Sequence, residues 1–174
     1  MLGPHAGAFG ITMAPEDVEV LEMPLDLAEG DIWAVLGTPG VAHPGLALEV
    51  EESIALALRL CTPRGILRRL DIGEVRPGEV AFEEGAALDG KFIAHLFEGA
   101  EEAVFLVVTI GPELEAKAAD LMSRGDTVEA IVLDAAGSAA AMNLLTHVLQ
   151  HVYEDADGRG LKVGTCCTPG QSFW

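Results

Sequence analysis

The stretch from Ala103 to Ile110 reads AVFLVVTI, and it decides the fold of this chain. It is a nearly unbroken apolar run rich in β-branched residues, which is typical of a strand buried on both faces. Gly111 and Pro112 turn the chain directly after it, and proline is well suited to the first position of a helix. The sequence therefore predicts a central buried strand over 103–110 that leads into a helix.

Two helical patterns follow this strand. Apolar residues recur at the spacing of one helix face over 113–123 and again over 127–153, and Gly125 separates the two segments. Glu113 and Glu115 favour the positive end of a helix, so they mark the start of the first segment. The C-terminal half is therefore predicted to place two helices after the strand.

The middle of the second helix is unusually rich in small side chains, because residues Asp134 to Ala141 read DAAGSAAA. Glycine inside a helix costs about 1 kcal/mol relative to alanine, so a glycine at this place needs a packing reason. We expect Gly137 and Ser138 to face a close neighbour, which is either the loop over 166–172 or another helix.

The N-terminal half has weaker patterns and many turn residues. Residues 1–16 are rich in Gly, Pro and Ala and are interpreted as a loose arm, with residues 17–174 as a single domain. Local periodicity predicts short strands over 17–23, 32–36, 66–75 and 80–82, helices over 49–60 and 89–97, and a last short strand over 161–165.

The charge of the chain is lopsided, with 28 acidic against 10 basic residues and a net charge of -18. Such a surface repels phosphate backbones and anionic lipid headgroups, so we expect no nucleic-acid partner. No unbroken apolar run approaches the roughly 18 residues that span a bilayer, so we expect no membrane segment.

Three cysteines, Cys61, Cys166 and Cys167, do not form the pattern of a disulfide framework. Adjacent cysteines rarely bridge each other, because the bond strains the peptide between them. A reducing compartment suits such a chain, so we expect a cytoplasmic protein.

Three segments, in order along the chain, resemble those of a known family. The first is Val107–Gly111 (VVTIG) with the acidic helix start at Glu113–Glu115, the second is Leu133–Ala139 (LDAAGSA), and the third is Thr168–Trp174 (TPGQSFW). In this order and spacing they resemble the activation domain of cobalamin-dependent methionine synthase. They are closer still to its small stand-alone relatives, which are associated with corrinoid methyltransferases.

The resemblance implies an α+β fold, in which helices pack on a twisted, largely antiparallel sheet. In the family, the domain binds S-adenosylmethionine in a shallow groove and presents the methyl group to a cobalamin held by another domain. It therefore implies an accessory domain without catalytic residues of its own, which acts with a corrinoid protein or a cobalamin-dependent methyltransferase. A chain that still binds S-adenosylmethionine would instead carry out reductive remethylation of the partner's cobalamin.

The same resemblance assigns the site residues. The ligand-binding loop is expected at Cys166, Cys167, Thr168, Pro169, Gly170 and Gln171, and supporting residues at Thr109, Gly111, Glu113, Asp134, Gly137 and Ser138.

This chain departs from the family pattern in the loop itself, which typically reads Arg-x-x-Pro-Gly-Tyr. Cys166 stands where the Arg is expected, and Gln171 stands where the Tyr is expected. An arginine holds a carboxylate through two parallel hydrogen bonds, which a cysteine cannot do. We therefore expect S-adenosylmethionine to bind weakly or not at all.

A second kind of site is suggested by His147 and His151, which lie four residues apart and so face one side of the long helix. Histidines at this spacing hold zinc or cobalt in many proteins. Together with Cys166 and Cys167 they form the alternative hypothesis of a metal- or corrinoid-binding module. Partly exposed histidines that complement the negative end of the helix are the simpler interpretation.

Overall fold

The computed structural model describes residues 18–40, 43–90 and 92–168. The elements, in chain order, are β1 Glu19–Glu22, α1 Glu29–Val35, a 3-10 turn Pro44–Leu46, α2 Ala47–Leu60, β2 Arg64–Arg76, β3 Glu79–Phe82, β4 Ala87–Asp89, α3 Ile93–Leu96, β5 Glu102–Thr109, α4 Glu113–Arg124 and α5 Thr127–Gly158. The fold is α+β, with a curled antiparallel sheet and helices, as predicted.

The sheet is organised around the long strand β2. Its order is β1-β2-β3-β4, and β5 also pairs with β2. Strands β2 and β3 are antiparallel and are joined by Pro77 and Gly78, with Arg76 opposite Glu79. Gly78 has a φ of 83°, which a glycine adopts without strain.

The chain divides into two compact units, and the divisions fall within strands β1, β2 and β5 and after α5. Of the described residues, the first unit comprises 18–19, 67–90, 92–106 and 162–168, and the second comprises 20–40, 43–66 and 107–161. The core of the first unit is built from six buried side chains: Leu70, Val80, Phe82, Leu88, Ile93 and Ala103. Phe82 also meets Phe105 edge to face, with ring centroids 5.4 Å apart.

The second unit is built around α5. Helices α1, α2 and α4 each pack against it. Its large buried side chains include Ile32 and Trp33 of α1, Val50 of α2, and Leu114 of α4. Because three helices cover α5, most of the circumference of α5 is buried between Ala130 and Ala140, and small residues allow this close packing.

Helix α5 is long and apolar enough to cross a membrane by length and composition alone, among the residues that the structure describes. Half of its most apolar window is buried inside the protein. No unbroken apolar run marks this helix in the sequence, because Asp134, Ser138 and Asn143 interrupt its apolar pattern.

Several predicted elements differ from the structure. Residues 32–36 are not a strand, because α1 covers Glu29–Val35 and buries Ile32 and Trp33 on one face. The helix expected over 89–97 is limited to Ile93–Leu96. Residues 161–165 have no regular secondary structure. Each of these segments is short, so periodicity alone does not separate helix from strand there.

The strand over 103–110 is confirmed as β5. Its predicted central position is wrong, because among the described strands β5 pairs only with β2, and its predicted burial on both faces is also wrong. Ala103 is 6% exposed, whereas Val107 is 64% exposed, and Thr109 is also exposed. An antiparallel sheet commonly leaves one face open to solvent, so an apolar run does not require cover on both sides.

Candidate functional site

The first motif segment forms a tight junction between β5 and α4. The backbone N–H of Thr62 donates to the carbonyl of Ile110 at 2.8 Å, which anchors the end of the strand to the segment after α2. The N–H of Gly111 donates to the Thr109 hydroxyl at 3.1 Å. Gly111 has a φ of 82°, so the turn places a glycine where other residues are strained.

The surroundings of Gly111 leave no room for a side chain. A Cβ built on Gly111 would collide with the Thr62 hydroxyl and lie 3.3 Å from a carboxylate oxygen of Glu113. The predicted supporting residues Thr109, Gly111 and Glu113 are therefore brought together at one end of α4. Thr62 completes this group, although its sequence context, Thr62-Pro63, indicates only the end of a helix.

The second motif segment packs directly on the first. A Cβ built on Gly137 of α5 would lie 2.6 Å from Leu114 Cδ2 of α4 and 3.6 Å from Ile110 Cδ1. Leu114 is only 1% exposed, so it has little room to withdraw. The expectation that Gly137 faces a close neighbour is confirmed, and that neighbour belongs to another helix.

The same expectation is wrong for Ser138, which is exposed to solvent. Asp134, one helical turn earlier, is also exposed. The reason is the helical period: Gly137 points into the packed side of α5, whereas residues 134 and 138 lie about 60° and about 100° around the helix from it, on a strip that is open to solvent. Asp134 and Ser138 are thus neighbours on one surface, because residues four apart on a helix are adjacent.

The third motif segment is described only up to Thr168. Cys166 is exposed and Cys167 is half-buried, and both are free thiols. Partial burial, followed by the neighbouring Cys166, raises the pKa of the Cys167 thiol, so it remains protonated at neutral pH. The predicted loop residues Pro169, Gly170 and Gln171 lie outside the described residues.

The histidine pair of the alternative hypothesis is placed on α5 as predicted. His147 is half-buried, and its Nδ1 lies 3.2 Å from the carbonyl oxygen of Pro24. Within residues 18–40, 43–90 and 92–168, no three side chains of His, Cys, Asp or Glu come close enough together to hold a metal ion. His147, His151 and Cys166 all belong to this part of the chain, so they do not form such a group.

Comparison with known proteins adds no assignment to this geometry. Neither the models of known protein families nor the curated protein sequences gave a match to this chain.

Proposed function

We propose that this chain is an accessory domain of the methionine synthase activation type, which acts beside a corrinoid protein or a cobalamin-dependent methyltransferase. The observation that carries the proposal is the contact between its first two motif segments. Gly137 of the second segment packs on Leu114 and Ile110 of the first, although the residues are more than twenty positions apart in sequence. Residues that carry the resemblance thus form one packed unit.

The chemistry of such a domain suits the residues found here. A reduced cobalt centre attacks the methyl group of a sulfonium in line, so correct positioning contributes more than acid or base groups. The protein that supplies this step needs a surface to meet the corrinoid protein and a loop to hold the methyl donor. Exposed Asp134 and Ser138, next to the packed motif, offer polar groups for the first task.

Binding of S-adenosylmethionine by this chain is expected to be weak. A charge-assisted hydrogen bond of the kind lost with the missing loop arginine contributes about 1.5–3 kcal/mol. A loss of about 2 kcal/mol weakens a dissociation constant about thirtyfold. Arg159 donates to Asp155 at 3.3 Å and is thus already engaged. Arg64 is exposed, and its substitution is compared with that of Arg159 in the titration below.

The proposal is tested by calorimetric titration of one protein sample with three ligands. These are the corrinoid protein of a cobalamin-dependent methyltransferase with its corrinoid bound, free hydroxocobalamin, and S-adenosylmethionine. We expect saturable binding of the loaded corrinoid protein, and weak or no binding of S-adenosylmethionine. The corrinoid-free form of the same partner is the control for non-specific association. Absence of binding to the loaded partner would overturn the proposal.

The titration also separates the accessory role from reductive remethylation. Micromolar binding of S-adenosylmethionine, lost in Arg64→Ala but kept in Arg159→Ala, would favour remethylation of the partner's cobalamin. Asp134→Asn is expected to weaken the complex with the corrinoid protein severalfold. Glu129→Gln, on another side of the same helix, is the matched control and is expected to leave it unchanged.

A further inference from the structure

The middle of α5 is mostly buried, and one narrow strip of it remains open to solvent. Between residues 130 and 142, the exposed side chains are Ile131, Asp134, Ser138 and Met142, which we call the α5 stripe. Their spacing of three and four residues aligns them along one side of the helix. At a rise of about 1.5 Å per residue, the stripe is about 16 Å long.

The stripe is apolar at both ends and polar in the middle. Met142 is 63% exposed and Ile131 is 49% exposed, while Asp134 and Ser138 lie between them. Val128 and Tyr153, which are 52% and 46% exposed, lie near the same side of α5 beyond the two ends. Large exposed apolar side chains grouped along one line are unusual on a free surface and often mark an interaction site.

The charge of α5 identifies what could cover this stripe. Over its 32 residues α5 contains no lysine or arginine, and its acidic residues are Glu129, Asp134, Glu154, Asp155 and Asp157. Within the described part of the chain, Asp134 has no ion pair or hydrogen-bond partner for its side chain. A carboxylate between two exposed apolar groups is complementary to a Lys or Arg flanked by apolar groups.

We infer that the α5 stripe is a docking surface for a partner protein that presents an apolar ridge with Lys or Arg beside it. A partner helix of about 18 residues, which is about 27 Å long, would cover the whole stripe. A second copy of this chain suits the stripe poorly, because two molecules of net charge -18 repel each other. Anionic membranes are disfavoured for the same reason.

The test uses a probe without any corrinoid, so its outcome is independent of the proposed function. The probe is a synthetic 18-residue helical peptide of Leu and Lys, with Leu along one face, titrated by fluorescence anisotropy at 150 mM salt. We expect saturable binding to the full chain that weakens about tenfold in Met142→Ser. Leu48→Ser on α2 is the matched control, because Leu48 and Met142 are each 63% exposed.

A second pair of variants separates local recognition from general attraction of a basic peptide. Asp134→Lys and Glu129→Lys change the net charge equally, and both positions are exposed on α5. We expect Asp134→Lys to weaken peptide binding at least fivefold more than Glu129→Lys. Circular dichroism of each variant verifies that the helices remain folded.

Absence of saturable binding to the unaltered chain would overturn the inference. Three further results would also overturn it. The first is equal weakening in Met142→Ser and Leu48→Ser. The second is self-association in sedimentation that Met142→Ser abolishes, which would make a second copy the occupant. The third is binding to phosphatidylglycerol vesicles that depends on Met142 and exceeds binding of the peptide.

Discussion

Replacement of Gly137 by alanine tests the contact on which the proposed function rests. The change adds one methyl group, which would lie 2.6 Å from Leu114 Cδ2, a distance that real side chains do not tolerate. Either α4 moves away from α5, or Leu114 takes another conformation inside a core where it is 1% exposed. Both responses cost free energy.

Two effects of opposite sign determine the magnitude. Overpacking a well-packed core costs about 1–3 kcal/mol. Alanine in place of glycine inside a helix stabilises the folded state by about 1 kcal/mol. The net result expected for Gly137→Ala is therefore a loss of about 0–2 kcal/mol in the free energy of unfolding. An ordinary helical glycine would show a gain instead.

Gly158 supplies the matched control on the same helix. A Cβ built on Gly158 meets nothing within 4 Å, so Gly158→Ala is expected to be neutral or slightly stabilising. Urea unfolding followed by far-ultraviolet circular dichroism is the suitable assay, because α1, α2, α4 and α5 all belong to the second unit. The reasoning fails if Gly137→Ala stabilises the chain as much as Gly158→Ala does.

A double-mutant cycle identifies the colliding partner. Leu114→Val shortens the side chain at the contact and alone costs about 0.5–1.5 kcal/mol, as similar core truncations do. If the methyl group added by Gly137→Ala presses on Leu114, the two substitutions together should cost less than their sum, by at least about 0.5 kcal/mol. Strict additivity would show that Gly137 is required for another reason.

Two further predictions concern other parts of the second unit. Gly111→Ala should destabilise the chain by about 1 kcal/mol more than Gly125→Ala in urea unfolding. Both glycines have a positive φ, but only Gly111 also faces a hydroxyl group, that of Thr62. Equal losses in the two variants would contradict the tight junction. Burial raises the pKa of the Cys61 thiol above its ordinary value of 9.0, so the folded protein holds the thiol proton more tightly than the unfolded chain does. The stability that this proton binding contributes is complete below pH 9 and is lost as the pH rises through the raised pKa. Cys61→Ala should therefore flatten the decline of stability above pH 9, and an unchanged slope would contradict it.

The elements of the C-terminal half were predictable because they are long and strongly periodic. Helix α4 and strand β5 begin and end within one residue of the predicted bounds, and α5 begins as predicted but continues to Gly158, beyond the predicted end at 153. Of the predicted apolar stripe of α4, Leu114, Ala118 and Leu121 are buried as their spacing indicates, whereas Met122 is 49% exposed. In these segments the local pattern and the tertiary packing agree, so either one identifies the element.

The degree of burial was much less predictable than the element type. Val107 belongs to a continuous apolar run and is nevertheless 64% exposed. Its exposure depends on which face of the sheet is covered, and this is decided by distant parts of the chain. The sequence of a single strand does not show which elements pack on it, so hydrophobicity alone overestimated the burial of β5.

The prediction of the short N-terminal elements was limited by a similar problem. Residues 32–36 include Ile32 and Trp33, which suit a strand as well as a helix, and a seven-residue helix leaves too few turns for its period to show. The acidic residues Glu29 and Asp31 in its first turn were the available signal, since acidic side chains favour a helix start.

The motif Leu133–Ala139 shows why a resemblance supports fold and function to different degrees. Ala135, Ala136 and Ala139 are each at most 3% exposed, and with buried Gly137 they are explained by the packing of three helices around α5. Such residues support a similar fold, because the core requires them whatever the protein does. Asp134 and Ser138 are exposed and support no packing, so they bear on function. The proposed partner surface therefore depends on these two residues and on the apolar side chains that flank them.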